Sequence, residues 1–182
     1  IFTPLAIAGA IFFTIHNMFA KTNAFLTAGM IYKLKGDFNL KEIGGLYKQQ
    51  PITALLFIIP AFALAGIPPL SGFFAKFMLI KAGFEDRQYA ITAVAIFTGL
   101  LTLYSMLKIW NEAFLKPGKD AATATKTMQL KWLDYLPSVL LGLASILMGL
   151  FAHKIFDFTM EAAEQLINPA NYIEEVLRSA KP

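Results

Sequence analysis

The sequence predicts an all-α membrane protein with four transmembrane helices, the second discontinuous between Gly66 and Gly72, and a C-terminal amphipathic helix. Three observations carry this. First, 57% of the 182 residues are hydrophobic and only 15% charged, where a soluble domain carries about a quarter charged. Second, four stretches long enough to cross a bilayer, which takes about 20 apolar residues, are nearly free of charge. Third, the charges that do occur gather in the connections between those stretches. The same composition, with 12 Gly, 9 Pro and no Cys, excludes disordered, collagen-like and disulfide-scaffold classes.

The spans are expected at about 3–32, 52–83, 89–115 and 136–156, forming a membrane part over 1–157, with an amphipathic tail over 158–182. The chain opens at Ile1 inside an apolar stretch, with no Met, basic leader or cleavage site. It is therefore expected to be a piece of something longer. Span one carries only His16 and Lys21 as ionisable groups. The loop after it holds Lys33, Lys35, Lys41 and Lys48, and Asn39 followed by Glu42 predicts a capped short helix laying Leu40, Ile43 and Tyr47 along the membrane surface.

Span two contains the run Gly66-Ile67-Pro68-Pro69-Leu70-Ser71-Gly72. Two consecutive prolines remove two backbone donors, and the flanking glycines permit a bend or unwinding. The apolar region is also too long for one straight crossing. Both facts predict a broken helix, and irregular backbone at membrane depth is tolerated only beside protein or a water-filled cavity. Lys76 would follow within about a turn of the second half-helix. The competing reading is a Pro-kinked packing helix whose Lys76 snorkels toward Glu85 and Asp86.

In span three, Thr98, Thr102 and Ser105 beside Gly99 read as a small-residue packing face, and Lys108, Trp110 and Glu112 as interface anchors. The next loop holds Lys116, Lys119, Lys126 and Lys131. Alternate connections share a side and lysines are retained on the cytoplasmic one, so both lysine-rich loops are expected there. The net charge of +4 is thus topological: no basic helix face or aromatic interleaving points to nucleic acid. In the tail, Asp157, Glu161, Glu164, Glu174 and Glu175 oppose an apolar stripe of Leu166, Ile173, Val176 and Leu177. An acidic amphipathic helix is not drawn to anionic lipid, which leaves a neighbouring protein or plain solvent as its surroundings.

No nucleophile arrangement, metal-ligand spacing or phosphate-binding glycine loop occurs, so no catalytic residue, metal or cofactor is expected. The unusual groups are Lys21, Lys76 and His16 inside spans, where an ionisable side chain costs at least ~2.5–3.5 kcal/mol near the centre. Such groups face polar cavities. Lysine suits proton handling because its protonation responds to desolvation and to nearby charge. Lys21 has Asn17 one helical turn away, whereas His16, five positions back, points elsewhere. His16 reads equally as a packing residue or a proton relay.

Several runs taken in order resemble the antiporter-like family shared by Mrp cation/proton antiporters and the membrane arm of respiratory complex I. They are His16-Asn17-Met18-Phe19-Ala20-Lys21-Thr22, Gly44-Gly45-Leu46, Ala65 to Phe73 leading to Lys76, Leu101-Thr102-Leu103-Tyr104-Ser105-Met106, and the ending around Glu161 to Ile173. The ending looks most like the D-type subunit of the Mrp branch.

The resemblance implies the last third of a fourteen-helix subunit of a hetero-oligomeric Na+/H+ antiporter in the plasma membrane. It implies a transporter and not an enzyme, moving protons along lysines, histidines and waters. Lys21 would be the central-axis lysine of the second inverted repeat and Lys76 the lysine of the second broken helix, a place where some relatives carry glutamate. The alternatives are a proton-pumping subunit of NADH-quinone oxidoreductase or of a membrane hydrogenase, and a non-transporting structural subunit.

Overall fold

The computed structural model describes residues 1–117 and 129–170, together with Ile173 and Val176. Its longest element, α1, runs Pro4–Lys35, about 48 Å at 1.5 Å per residue. The Thr3 hydroxyl accepts the Ala6 N–H at its start, and Gly36 closes it in the left-handed conformation, donating to Tyr32 O at 2.7 Å. Ala8, Phe12, His16, Ala20, Asn23, Thr27, Met30 and Leu34 are all buried at three- or four-residue spacing. They make one continuous inward stripe, which sets α1 as the central column.

The loop after α1 forms a turn at 40–42 and a single short helix, α2, over Leu46–Gln49. The short helix expected to start at an Asn39 cap and run past Ile43 to Tyr47 is absent; the chain turns at 40–42 and helix begins only at Leu46. The Asn39 side chain accepts from Lys41 N–H, turning the chain instead of starting a helix. Of the three residues expected on a membrane surface, Ile43 is buried against Ile31, Leu34, Phe57 and Phe114 and Leu40 packs on the same cluster, while Tyr47 is exposed.

Helices α3 (Pro51–Ala65) and α4 (Ser71–Glu85) have 15 residues each, about 22 Å and too short to cross a bilayer singly. Helix α5 spans Tyr89–Trp110 and ends in a π turn over Asn111–Leu115, closed by Lys116 N–H to Asn111 O at 2.8 Å. Helix α6 covers Trp132–Leu150 and α7 covers Ala152–Ile167. Among the described residues the structure is therefore entirely helical, and three helices are long and apolar enough to cross a membrane: Pro4–Lys35, Tyr89–Leu115 and Trp132–Leu150.

Helices α3, α4, α6 and α7 all pack on α1, while α5 leans on α3 and α4 and buries only Thr92. Helix α6 runs antiparallel to α1: Lys33 pairs with Asp134 at 2.5 Å, and Asn23 lies deeper, against Ser138. Helix α7 continues in that direction past a break at Phe151, bringing Met160 beside Pro4 and Leu5. The expected boundary at 157/158 falls inside α7. Its Ala152, Ile155, Phe156, Met160 and Ala163 cover Ala8, Phe12, Ala75 and Met78 of this chain. The stripe actually used thus precedes the expected one: Leu166, Ile173 and Val176 are exposed. Lys119, Lys126, Glu174, Glu175, Leu177, Arg178 and Lys181 lie outside the described residues.

Both lysine-bearing loops meet at one end of the bundle. Gly45 N–H donates to Lys116 O at 2.7 Å, and Lys116 Nζ reaches Lys41 O at 3.3 Å. There Phe57, Trp110 and Phe114 stack with centroids 4.7–6.3 Å apart.

Candidate functional site

The break between α3 and α4 follows from how the last turn of α3 disposes of its carbonyls. A helix leaves four terminal carbonyls without intrahelical partners. Gly66, at φ 86°, turns the chain so that its N–H reaches Phe62 O and Ala63 O, and the Ile67 N–H also reaches Phe62 O. This is the glycine-dependent closure in which the left-handed residue lets two N–H groups fold back. Leu64 O and Ala65 O remain, and Lys76 Nζ donates to them at 2.6 and 3.3 Å. A cation at the C-terminal end of a helix also meets the negative pole of its dipole. Pro68 and Pro69, joined by a cis peptide bond, carry the chain across to α4.

Lys76 therefore lies on the second turn of α4 and reaches back twelve residues across the break. It does not reach Glu85 or Asp86 by snorkelling. Glu85 instead pairs with Lys81 at 3.7 Å.

Ser71 and Gly72 belong to α4 and not to the break. Ser71 is fully buried and bonds two ways, to His16 Nδ1 at 2.9 Å and to Ser145 Oγ at 3.1 Å. Gly72 is required by proximity: a Cβ there would stand 1.8 Å from Ala63 O and 2.8 Å from the His16 ring. Packing of α4 onto α3 and α1 is thus set at a backbone-to-backbone approach that no side chain permits. Gly149 plays the same part for α6, where a Cβ would meet Pro69 O at 2.0 Å.

His16, Lys21 and Lys76 line one cleft of about 840 Å³ between α1, α4 and α5, with Thr14, Asn17, Thr98, Gly99 and Thr102 on its walls. Its lining holds two lysines, a histidine, hydroxyls and an amide, and no carboxylate among the described residues. Lys21 is exposed at the junction with a second, apolar groove of about 610 Å³ bounded by Phe25, Phe57, Met106 and Ile109. Lys21 makes no hydrogen bond or ion pair among the described residues, and Asn17 donates to Phe13 O.

Thr98 and Thr102 bond the carbonyls one turn back at 2.8 Å and face the cleft, so the expected packing face on α5 is a cleft wall. Gly99 lies on the same wall, close to Lys76: a Cβ there would stand 3.9 Å from Nζ, an ordinary contact.

Two polar contacts were not singled out from the sequence. Ser145 closes the His16–Ser71 chain between α1, α4 and α6, and Ser138 donates to Asn23 Oδ1 between α1 and α6. Their signal is the spacing Ser138, Gly142, Ser145, Gly149 on α6, which places all four on one buried face.

The family described as NADH:quinone oxidoreductase/Mrp antiporter, TM, matches residues 1–102. The D-type subunit of the Na(+)/H(+) antiporter of Alkalihalophilus pseudofirmus is 45% identical over 98% of this chain and 36% of its own length. The corresponding antiporter protein from Bacillus subtilis is 39% identical over 97% of this chain and 35% of its length. The N-type subunit of the F(420)H(2) dehydrogenase of Methanosarcina mazei is 29% identical over 92% of this chain.

Among solved structures, a chain of the Mrp complex from a Dietzia species superposes with a TM-score of 0.87 at 30% identity, covering 97% of this chain and 40% of that one. The chain thus spans about a third of the length of the curated relatives it matches. The sequence match and the shared helical arrangement agree, and the chain belongs to the NADH:quinone oxidoreductase/Mrp antiporter transmembrane family.

Proposed function

We propose that this chain is part of a membrane subunit of a multi-subunit Na+/H+ antiporter, in which Lys21, Lys76 and His16 pass protons through the cleft. The observation that carries the reading is Lys76 Nζ held on Leu64 O at a helix break, in a cleft shared with the other two groups. An ammonium so placed has fixed backbone acceptors behind it and open polar space in front. A lysine in that position releases and regains a proton as charges outside the cleft change. His16, buried but at the cleft wall, is the relay.

In this reading α3 and α4 together make one discontinuous crossing, bringing the crossings to four with α1, α5 and α6. The meeting of the two lysine-bearing loops at one end supports the alternation, and the positive-inside bias puts that end in the cytoplasm. The acidic face of α7, with Asp157, Glu161 and Glu164 exposed, is left for a neighbouring subunit.

The redox-driven alternative belongs to the same family. The 45% identity to a D-type antiporter subunit, against 29% to the dehydrogenase one, favours the antiporter. The test is cation-dependent proton flux in everted vesicles carrying the complete complex. Lys76→Ala is expected to abolish flux while assembly remains normal, and flux equal to wild type would remove Lys76 from proton transfer.

A further inference from the structure

His16 is tied to α6 by a hydroxyl chain that the proton-carrying role of the lysines does not use. His16 Nδ1 lies 2.9 Å from Ser71 Oγ, and Ser71 Oγ lies 3.1 Å from Ser145 Oγ. All three side chains are essentially inaccessible, at 1%, 0% and 1% exposure. Water therefore does not compete for these bonds. Each serine has one hydrogen to give and lone pairs to receive, so the chain has two polarities. In one, Ser145 donates to Ser71 and Ser71 donates to Nδ1, which leaves the imidazole proton on Nε2. In the other, Nδ1–H donates to Ser71 and Ser71 donates to Ser145.

The choice matters because the two ring nitrogens face different surroundings. Nδ1 points into the packed seam between α1, α4 and α6. The other edge of the ring, Cε1 and Nε2, lies against Gly72 in the first turn of α4, where that helix meets Ala63 O at the end of α3, and the ring lines the same cleft as Lys76. Which nitrogen bears the proton in neutral imidazole is set by the bond the other makes.

We propose that Ser71 and Ser145 are positioning residues for His16, and that their reversible hydroxyl chain lets the ring populate both tautomers, linking α6 to the protonation geometry of the cleft. This rests on the reading of His16 as a relay. Without Ser145, Ser71 loses its outward acceptor and is left to donate to Nδ1, locking the proton on Nε2. Without Ser71, Nδ1 loses its hydrogen-bond partner and its link to Ser145.

The test uses the complete subunit in its assembled membrane complex, with histidine labelled by nitrogen-15 and the His16 signals assigned by loss in a His16→Asn variant. Wild type is expected to show both tautomers of His16. Ser145→Ala is expected to shift it to the Nε2–H form and to slow coupled flux several-fold, up to about tenfold, the scale of one lost hydrogen bond. Ser71→Ala is expected to perturb both nitrogens. Ser138→Ala removes a hydroxyl from the same face of α6 with no bond to His16, and is expected to leave the His16 signals unchanged.

A single tautomer in wild type, unchanged signals in Ser145→Ala, or an equal change in Ser138→Ala would each overturn the proposal. Lys76→Ala in the same preparation separates the two claims. If flux survives it, the reading of the lysines fails while the His16 spectra still decide the role of the serines.

Discussion

Replacing Gly72 by alanine tests the geometry on which the break depends. The added methyl would stand 1.8 Å from Ala63 O and 2.8 Å from His16 Cε1 and Nε2. Ordinary carbon–oxygen approach is about 3.3 Å or more. The end of α3 and the start of α4 must therefore part by about 1.5 Å, and a backbone carbonyl cannot rotate aside as a side chain can. Overpacking of this kind costs ~1–3 kcal/mol or more, and the backbone origin of the clash puts this site at the upper end. A parting of about 1.5 Å added to the 2.6 Å contact of Lys76 with Leu64 O takes that pair beyond the ~3.2 Å limit of a good hydrogen bond, so the contact is expected to weaken or break.

The control is Gly29→Ala, where nothing lies within 4 Å of the added Cβ and helix propensity favours alanine by ~1 kcal/mol. The assay is thermal unfolding of the purified complex in detergent, followed by fluorescence-detected size exclusion, together with vesicle flux. Gly72→Ala is expected to unfold at clearly lower temperature and to lose flux, and Gly29→Ala to match or exceed wild type. Equal melting and flux for Gly72→Ala and wild type would refute the close approach.

Other expected outcomes follow from single contacts. Lys76→Met leaves Leu64 O and Ala65 O without partners and is expected to destabilise the complex by ~1–3 kcal/mol. Lys76→Arg is expected to keep that cap and its stability but to slow flux, because a guanidinium does not release its proton. Comparing melting with flux in the two variants separates capping from proton transfer. Asn23→Ala and Ser138→Ala are each expected to destabilise, with the double variant milder than their sum by about 0.6 kcal/mol, typical of membrane hydrogen bonds; strict additivity would deny the Asn23–Ser138 bond. Lys48→Cys is expected to react with an impermeant thiol reagent only from the cytoplasmic side and Asp86→Cys only from the opposite side, and the reverse would invert the topology.

The order of the apolar helices was legible in the sequence, since hydrocarbon-compatible composition is a local property, but the end of the fourth was not: α6 stops at Leu150 and a new helix starts at Ala152 inside the stretch expected as one span. The break near Pro68-Pro69 and the three ionisable groups were legible too, because missing backbone donors and intramembrane charge stand out whatever they touch. What they touch depends on residues far along the chain. Lys76 bonds carbonyls on the preceding helix, and His16 meets Ser71 of α4, which in turn meets Ser145 of α6.

Composition favoured a packing role for Thr98 and Thr102 and a bending role for Gly72. Only the crossing of the helices turned the first pair into a cleft wall and the glycine into a point of backbone contact. The same holds for α7, whose acidic content suggested contact with a neighbouring protein or solvent. Its small and apolar residues lie at helical spacing against Ala8 and Phe12, and that face was claimed by α1. Where lipid solvates apolar side chains as well as protein does, hydrophobicity identifies the spans but does not rank their faces. Close packing of small residues and pairing of buried polar groups decide that, and both are properties of the assembled bundle.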